Sequence, residues 1–218
     1  MNSKRMVNRF SAVVRVSHWI YAISFITLAI TGYLVYGNAL NWMIPLFGSI
    51  EGAMVVHRVA AVFLMIGVAL PLLMRPREVQ AWLAEIFTFT KADIGFLKTF
   101  PLKFIGVKKE IPPQGFYNGG EKVNSIIQVV CGVGLIVSGL FLWLSSAPPL
   151  IMYPLHALFF AIGVAGAIGH IYLAVFNPVS NEAIRGMISG DISEEYMKHN
   201  HGAWYEEVYK AKKQKGSA

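Results

Sequence analysis

The sequence predicts an all-α integral membrane protein, a four-helix bundle, and three observations carry that prediction. Hydrophobic residues make up 55% of the 218 and charged residues only 14%, whereas soluble domains carry about 25% charge. Four stretches are apolar enough to cross a bilayer as helices, which takes about 20 residues each. Four histidines, His18, His57, His156 and His170, lie inside these stretches, where an ionisable ring costs enough to point to function.

The first span covers about 16–36, behind a basic N-terminal segment with Lys4, Arg5, Arg9 and Arg15. Gly37-Asn38-Ala39 loosely resembles a cleavage site, but the apolar run exceeds a signal-peptide core, so the segment reads as a retained span. The connection 37–52 has no Lys or Arg and leads to the second span, 53–74. The long loop 75–122 then carries Arg75, Arg77, Lys91, Lys98, Lys103, Lys108, Lys109 and Lys122. Within it, 79–89 and 94–104 have apolar residues at helical spacing, predicting helices that cover the core or lie in the interface. The third span covers 124–144 and the fourth 151–176, with no Lys or Arg between them.

Residues 1–176 thus form the four-span unit. The chain turns polar over 177–218, a tail with Arg185, Lys198, Lys210, Lys212, Lys213 and Lys215, expected to dock on the cytoplasmic face or on a partner. The basic residues outside the spans all fall on one side of them. The positive-inside rule therefore places both termini and the long loop in the cytoplasm, for a multi-pass protein of the bacterial inner membrane. A net charge of +7 spread over membrane flanks suits lipid headgroups and not nucleic acid. The single cysteine, Cys131, excludes disulfides and iron–sulfur ligation by this chain and reads as a small hydrophobe.

The spacing of the histidines gives the chemistry. His156 and His170 are 14 residues apart in a run without charges. On a helix they return to within about 40° of one face and differ by about 21 Å in depth. Span 1 runs outward, so His18 lies toward the cytoplasm; span 2 runs inward, so His57 lies toward the periplasm. Span 4 also runs inward, which puts His156 at the depth of His57 and His170 at the depth of His18. Imidazoles paired at two depths are what two haems b, stacked across the membrane, require of facing helices. One tetrahedral zinc cannot span both depths. The bland alternative for each ring is a hydrogen bond to a neighbouring helix, and four rings matched in pairs count against it.

Gly32, Gly67, Gly163, Gly166 and Gly169 thin the spans for a porphyrin, or equally for close helix packing. Arg15 and Arg58 are candidate propionate partners or membrane anchors. His199 and His201 fall in the polar tail and are expected at the surface.

Two loop signatures complete the pattern. One is Tyr117-Asn118-Gly119-Gly120-Glu121-Lys122; the other is Arg185-Gly186-Met187-Ile188-Ser189-Gly190-Asp191-Ile192, followed by Lys198-His199 and Trp204-Tyr205. With the histidines and the four-span plan, they resemble the cytochrome b (gamma) subunit of membrane-bound formate dehydrogenase, over nearly the whole chain. The family usually reads Ala and Gln at positions 119 and 121, and adjacent histidines in the tail.

The resemblance implies an electron-transfer subunit with two b haems, formate oxidation itself being carried out by a partner. It implies an iron–sulfur subunit, a molybdenum- or tungsten-containing catalytic subunit, assembly into a higher oligomer, and quinone, expected to be menaquinone, as substrate. Its quinone site, beside the cytoplasmic-side haem, maps to Asn118, Gly120 and Glu121. The alternatives are the cytochrome b subunit of a nickel–iron hydrogenase or related oxidoreductase, and a haem-free anchor with a quinol site. A transporter would need an inverted repeat, which the sequence lacks.

Overall fold

The computed structural model describes residues 5–107, 109–178 and 180–216; Lys4 and Lys108, counted above among the basic flanks, lie outside them. In chain order the elements are strand β1 (Met6–Asn8) and helices α1 (Ala12–Tyr36), α2 (Ile44–Phe47), α3 (Ile50–Met74), α4 (Pro76–Phe87) and α5 (Lys91–Thr99). There follow α6 (Gly119–Leu144), α7 (Met152–Ile171), α8 (Ala183–Ile188), strand β2 (Asp191–Ser193), α9 (Glu194–Asn200) and α10 (Gly202–Gly216). A wider π turn, Tyr172–Phe176, prolongs α7.

Four helices are long and apolar enough to span a membrane: α1, α3, α6, and α7 with its π turn. Three of them start before the apolar runs do, because polar caps set the starts. The Ser11 hydroxyl accepts from the Val14 amide and Ser49 from the Gly52 amide, satisfying donors that a helix start leaves open. The outer surface matches lipid. In the window of α7 with its extension, mean hydropathy is 2.0 and only 6% of residues are buried by the protein itself. Leu73, Ile23 and Ile168 are more than half exposed, and each span is helical, pairing its backbone within itself as a bilayer demands.

The loop helices form where expected but in shifted registers. The first begins at Pro76, a residue suited to an opening turn because the amide it lacks has no partner there anyway. The second begins at Lys91 because Thr90 and Asp93 form a reciprocal capping box. It ends at Thr99, and Pro101 opens a 3₁₀ turn, Pro101–Ile105, where a longer helix was predicted.

The chain divides into two compact units. The apolar unit holds 11–79 and 131–165; the mixed unit holds residues up to Phe10, 80–130, and those from Gly166 onward. In the apolar unit α1 and α3 pack closely at Gly67, where a Cβ would lie 3.1 Å from the Tyr21 amide nitrogen. Gly163 meets Phe25 and Cys131, while Gly166, in the mixed unit, meets Gln128 and Ile127. Close packing is what these three glycines allow. In the mixed unit β1 and β2 pair antiparallel, Val7 opposite Ile192. That ladder ties the tail to the N-terminal segment over a core of Ile192, Tyr196 and Met197.

Candidate functional site

His57 lies in the second turn of α3 and His156 in the second turn of α7. Their ring centres are 6.5 Å apart, with planes at 59°. The Nδ1 atom of each ring faces a hydroxyl on a different helix. Thr31 Oγ1 on α1 is 2.9 Å from His57 Nδ1, and Ser138 Oγ on α6 is 2.8 Å from His156 Nδ1. The residue after each hydroxyl is a glycine lying against the same ring. A Cβ on Gly32 would stand 3.1 Å from His57 Cε1, and one on Gly139 would stand 3.3 Å from His156 Cε1.

This pair fits a bis-imidazole haem. Imidazole nitrogens sit about 2 Å from a first-row metal, so two rings on opposite sides of one ion have centres roughly 6 Å apart. Metal-bound histidines almost always give their second ring nitrogen to an oxygen acceptor, and here both find one. The hydrogen bond to a neighbouring helix, set out above as the bland alternative, is present at both rings and is also what a ligand requires. Arg58, next to His57, has its guanidinium 5.9 Å from the Trp143 ring centre, within cation–π range.

His18 stands in the second turn of α1, its ring edge-on to Trp19 with centres 5.4 Å apart. His170 is the penultimate residue of α7. One uninterrupted α-helix therefore carries both His156 and His170, as their spacing requires. His18 falls in the apolar unit and His170 in the mixed unit.

The Asn118–Lys122 segment is built into the mixed unit by polar contacts. Asn118 Oδ1 accepts from the Glu121 amide, and Glu121 Oε2 accepts from the Asn118 amide, both at 2.9 Å. This capping box starts α6. Both Glu121 oxygens are also 3.1 Å from Arg9 Nη2. The Arg9 side chain is 1% exposed; it donates to the Phe116 carbonyl at 2.7 Å and lies over the rings of Phe10, Phe116 and Tyr117. A Cβ on Gly119 would stand 2.5 Å from the Asp93 carbonyl oxygen, and one on Gly120 would stand 3.0 Å from Phe96 Cε1. Both glycines are thus needed where α6 meets α5. Lys122 is buried and bonds Glu85 at 2.9 Å, Asp93 at 3.0 Å and the Thr88 carbonyl at 3.0 Å. Burial pushes the Asp93 carboxyl up, but hydrogen bonds from Thr90 and the ion pair with Lys122 outweigh it and hold it below its usual range.

His201 corrects an expectation. It is not a surface residue but fully buried, whereas His199 is exposed. His201 Nδ1 donates to the Gly115 carbonyl at 2.9 Å. Burial lowers its pKa, with Glu121 raising it and Arg9 lowering it further. The tail is folded against the N-terminal strand, and the turn from α9 into α10 carries this ring inward.

Sequence reasoning missed Thr31, Ser138, Gly139 and the Arg9–Glu121 pair. Its signal for the first three was available: a hydroxyl–glycine dipeptide, Thr31-Gly32 and Ser138-Gly139, occurs toward the C-terminal end of two spans. Nothing local marks Arg9, since its partner is 112 positions away.

Comparison with known proteins adds an independent line. The family described as prokaryotic cytochrome b561 matches residues 9–190. The chain is 25% identical to the formate dehydrogenase cytochrome b556(fdo) subunit of Escherichia coli K12, over 99% of both chains. It is also 25% identical to the nitrate-inducible formate dehydrogenase cytochrome b556(Fdn) subunit of that strain, over 100% of this chain and 98% of the relative. The formate dehydrogenase cytochrome b556 subunit of Haemophilus influenzae is similar at 25% over 94% of this chain and 84% of its own.

Proposed function

We propose that this chain, which belongs to the prokaryotic cytochrome b561 family, is the membrane cytochrome b subunit of a formate dehydrogenase. It holds one haem b between His57 and His156 on the periplasmic side and a second between His18 and His170 on the cytoplasmic side. Haem bound at these pairs supplies a one-electron couple at each of two depths, linking a periplasmic iron–sulfur subunit to quinone at the cytoplasmic side. Formate oxidation belongs to a partner subunit containing molybdenum or tungsten. The observation that carries this reading is the His57–His156 pair, with rings 6.5 Å apart and both Nδ1 atoms at hydroxyls. Full-length similarity to three formate dehydrogenase cytochrome subunits supports the choice of complex.

The chain's own residues have distinct tasks. The spans exclude water, and a single helix, α7, carries both His156 and His170. The quinone site is assigned to Asn118, Gly120 and Glu121. There the Asn118 carbonyl oxygen is committed to the helix start, which leaves its amide group to donate to a quinone oxygen. Glu121 is held by Arg9 and by the cap, so it orients the segment. Proton uptake on the cytoplasmic side makes the transfer electrogenic, at about 2.3 kcal/mol per charge and 100 mV. The inner bacterial membrane and cytoplasmic termini follow from the one-sided basic residues.

A reduced-minus-oxidised visible spectrum of the purified chain with a haem-to-protein ratio tests this directly. Two b haems per chain are expected, together with copurification of iron–sulfur and molybdenum or tungsten subunits from the membrane. A folded chain that binds no haem when haem is supplied would overturn it, and copurification with a hydrogenase would reassign the complex.

A further inference from the structure

Thr31 and Ser138 each make two kinds of contact, and together these decide which nitrogen of each histidine carries the proton. A hydroxyl has one hydrogen to give. Thr31 Oγ1 is 2.8 Å from the Thr27 carbonyl and 3.4 Å from that of Leu28. Ser138 Oγ is 2.6 Å from the Gly134 carbonyl and 3.4 Å from that of Leu135. Oxygens this close to a carbonyl oxygen must share a hydrogen with it, so each hydroxyl proton points back into its own helix. Each hydroxyl can then only accept from its histidine. His57 and His156 are accordingly protonated at Nδ1, and the lone pair of each ring is on Nε2.

From this we infer that Thr31-Gly32 and Ser138-Gly139 are matched positioning elements for a haem at His57 and His156, which rests on the reading above. The hydroxyl selects the tautomer whose Nε2 can bind iron, and the following glycine leaves room for Cε1 of the same ring. The two elements lie on different helices, α1 and α6, and serve rings on two others, α3 and α7. Donation from Nδ1 also raises the basicity of each ligand. A more basic ligand favours the ferric state, and hydrogen bonding of this kind is one of the means by which a protein tunes a haem.

The test compares Thr31→Val and Ser138→Ala with the conservative Thr31→Ser and Ser138→Thr in the haem-loaded full-length chain, with potentiometric titration of both haems. Each hydroxyl-deleting variant is expected to loosen one of the two haems about 10–100-fold and to raise its midpoint potential. The other haem is expected to be unmoved, and the conservative variants should return both values toward wild type. Unchanged potentials and haem retention in Thr31→Val and Ser138→Ala would overturn the inference. Nitrogen-15 shifts of histidine-labelled, haem-free wild-type chain give a second reading that needs no variant. Unprotonated Nε2 at both rings is expected, and unprotonated Nδ1 would sink the idea even if two haems bind. A wild-type chain that takes up no haem would instead overturn the function proposed above, while the nitrogen shifts would still decide the tautomer.

Discussion

Thr31 and Lys122 are both buried polar residues, and the chain satisfies them in opposite ways. Thr31, in the apolar unit, uses neutral bonds: one to its own helix and one from an imidazole. Lys122, in the mixed unit, is surrounded by two carboxylates and a carbonyl. The same contrast separates Ser138 from Arg9, which is paired with Glu121 inside an aromatic box. The apolar unit contains all of α1 and α3 and more than half of α6 and α7, in whose apolar interiors an ion would cost most. There the buried hydroxyls of Thr31 and Ser138 are satisfied by neutral partners. The mixed unit ties together segments far apart in sequence, and charges give strong, directional ties. Neutral polar contacts therefore accompany the His57–His156 pair, and ionic ones hold the mixed unit together.

The largest expected effect tests the first half of that contrast. Replacing His57 by Ala should lower the haem content from two per chain to one, read as a pyridine haemochrome ratio against protein. His170→Ala should remove or perturb the other haem. Loss of both haems from either variant, with the helices intact by circular dichroism, would mean that the sites are not independent. The scaffold half is tested by Lys122→Met. Removing one partner of a buried ion pair costs about 3–5 kcal/mol, because the buried Asp93 is left without its cation. Denaturation in detergent should show that loss, while the haem ratio should stay near two.

What the sequence revealed divides along the same line. The spans and their order are set by local apolar runs and were legible, and helical spacing likewise put His156 and His170 on one helix. The π turn, Tyr172–Phe176, and the capping box that moves α5 to Lys91 depend on backbone bonding that apolar spacing does not register. Thr31 and Ser138 escaped because a hydroxyl in a span usually bonds its own helix, and these do so as well. Their contact with histidine is tertiary. His201 was misread because tail composition is polar on average, although the ring is carried inward by a core built on Ile192 and Met197.

A smaller effect concerns Gly119. Its neighbour is backbone, the Asp93 carbonyl, and backbone at a helix start cannot move aside as a side chain can. Gly119→Ala should cost about 1–3 kcal/mol through overpacking, less than Lys122→Met, with the Lys122 bonds weakened but retained. Equal losses in the two variants would mean that the ion cluster adds little beyond helix packing.

The smallest effect is a pH dependence in the mixed unit. His201 is buried, with Glu121 and Arg9 exerting opposite pulls and the Gly115 carbonyl taking its Nδ1 proton. Its folded pKa lies below the roughly 6.5 of an unfolded histidine, so the unfolded chain takes up the proton first as the medium acidifies. The stability contribution is therefore complete above about pH 6.5 and declines as pH falls below it. Asp93 acts in the same direction but in a separate window, its contribution complete above about pH 4, the ordinary carboxylate value, and lost as pH falls from there toward its lowered folded pKa. His201→Gln keeps a donor for Gly115 and removes the titration. The wild-type chain should lose melting temperature between pH 6.5 and 5 faster than this variant, since every other titrating group is common to both. Parallel curves would mean that the mixed unit opens enough in detergent to hydrate His201, and that its ionic ties hold an interface wetter than its burial implies.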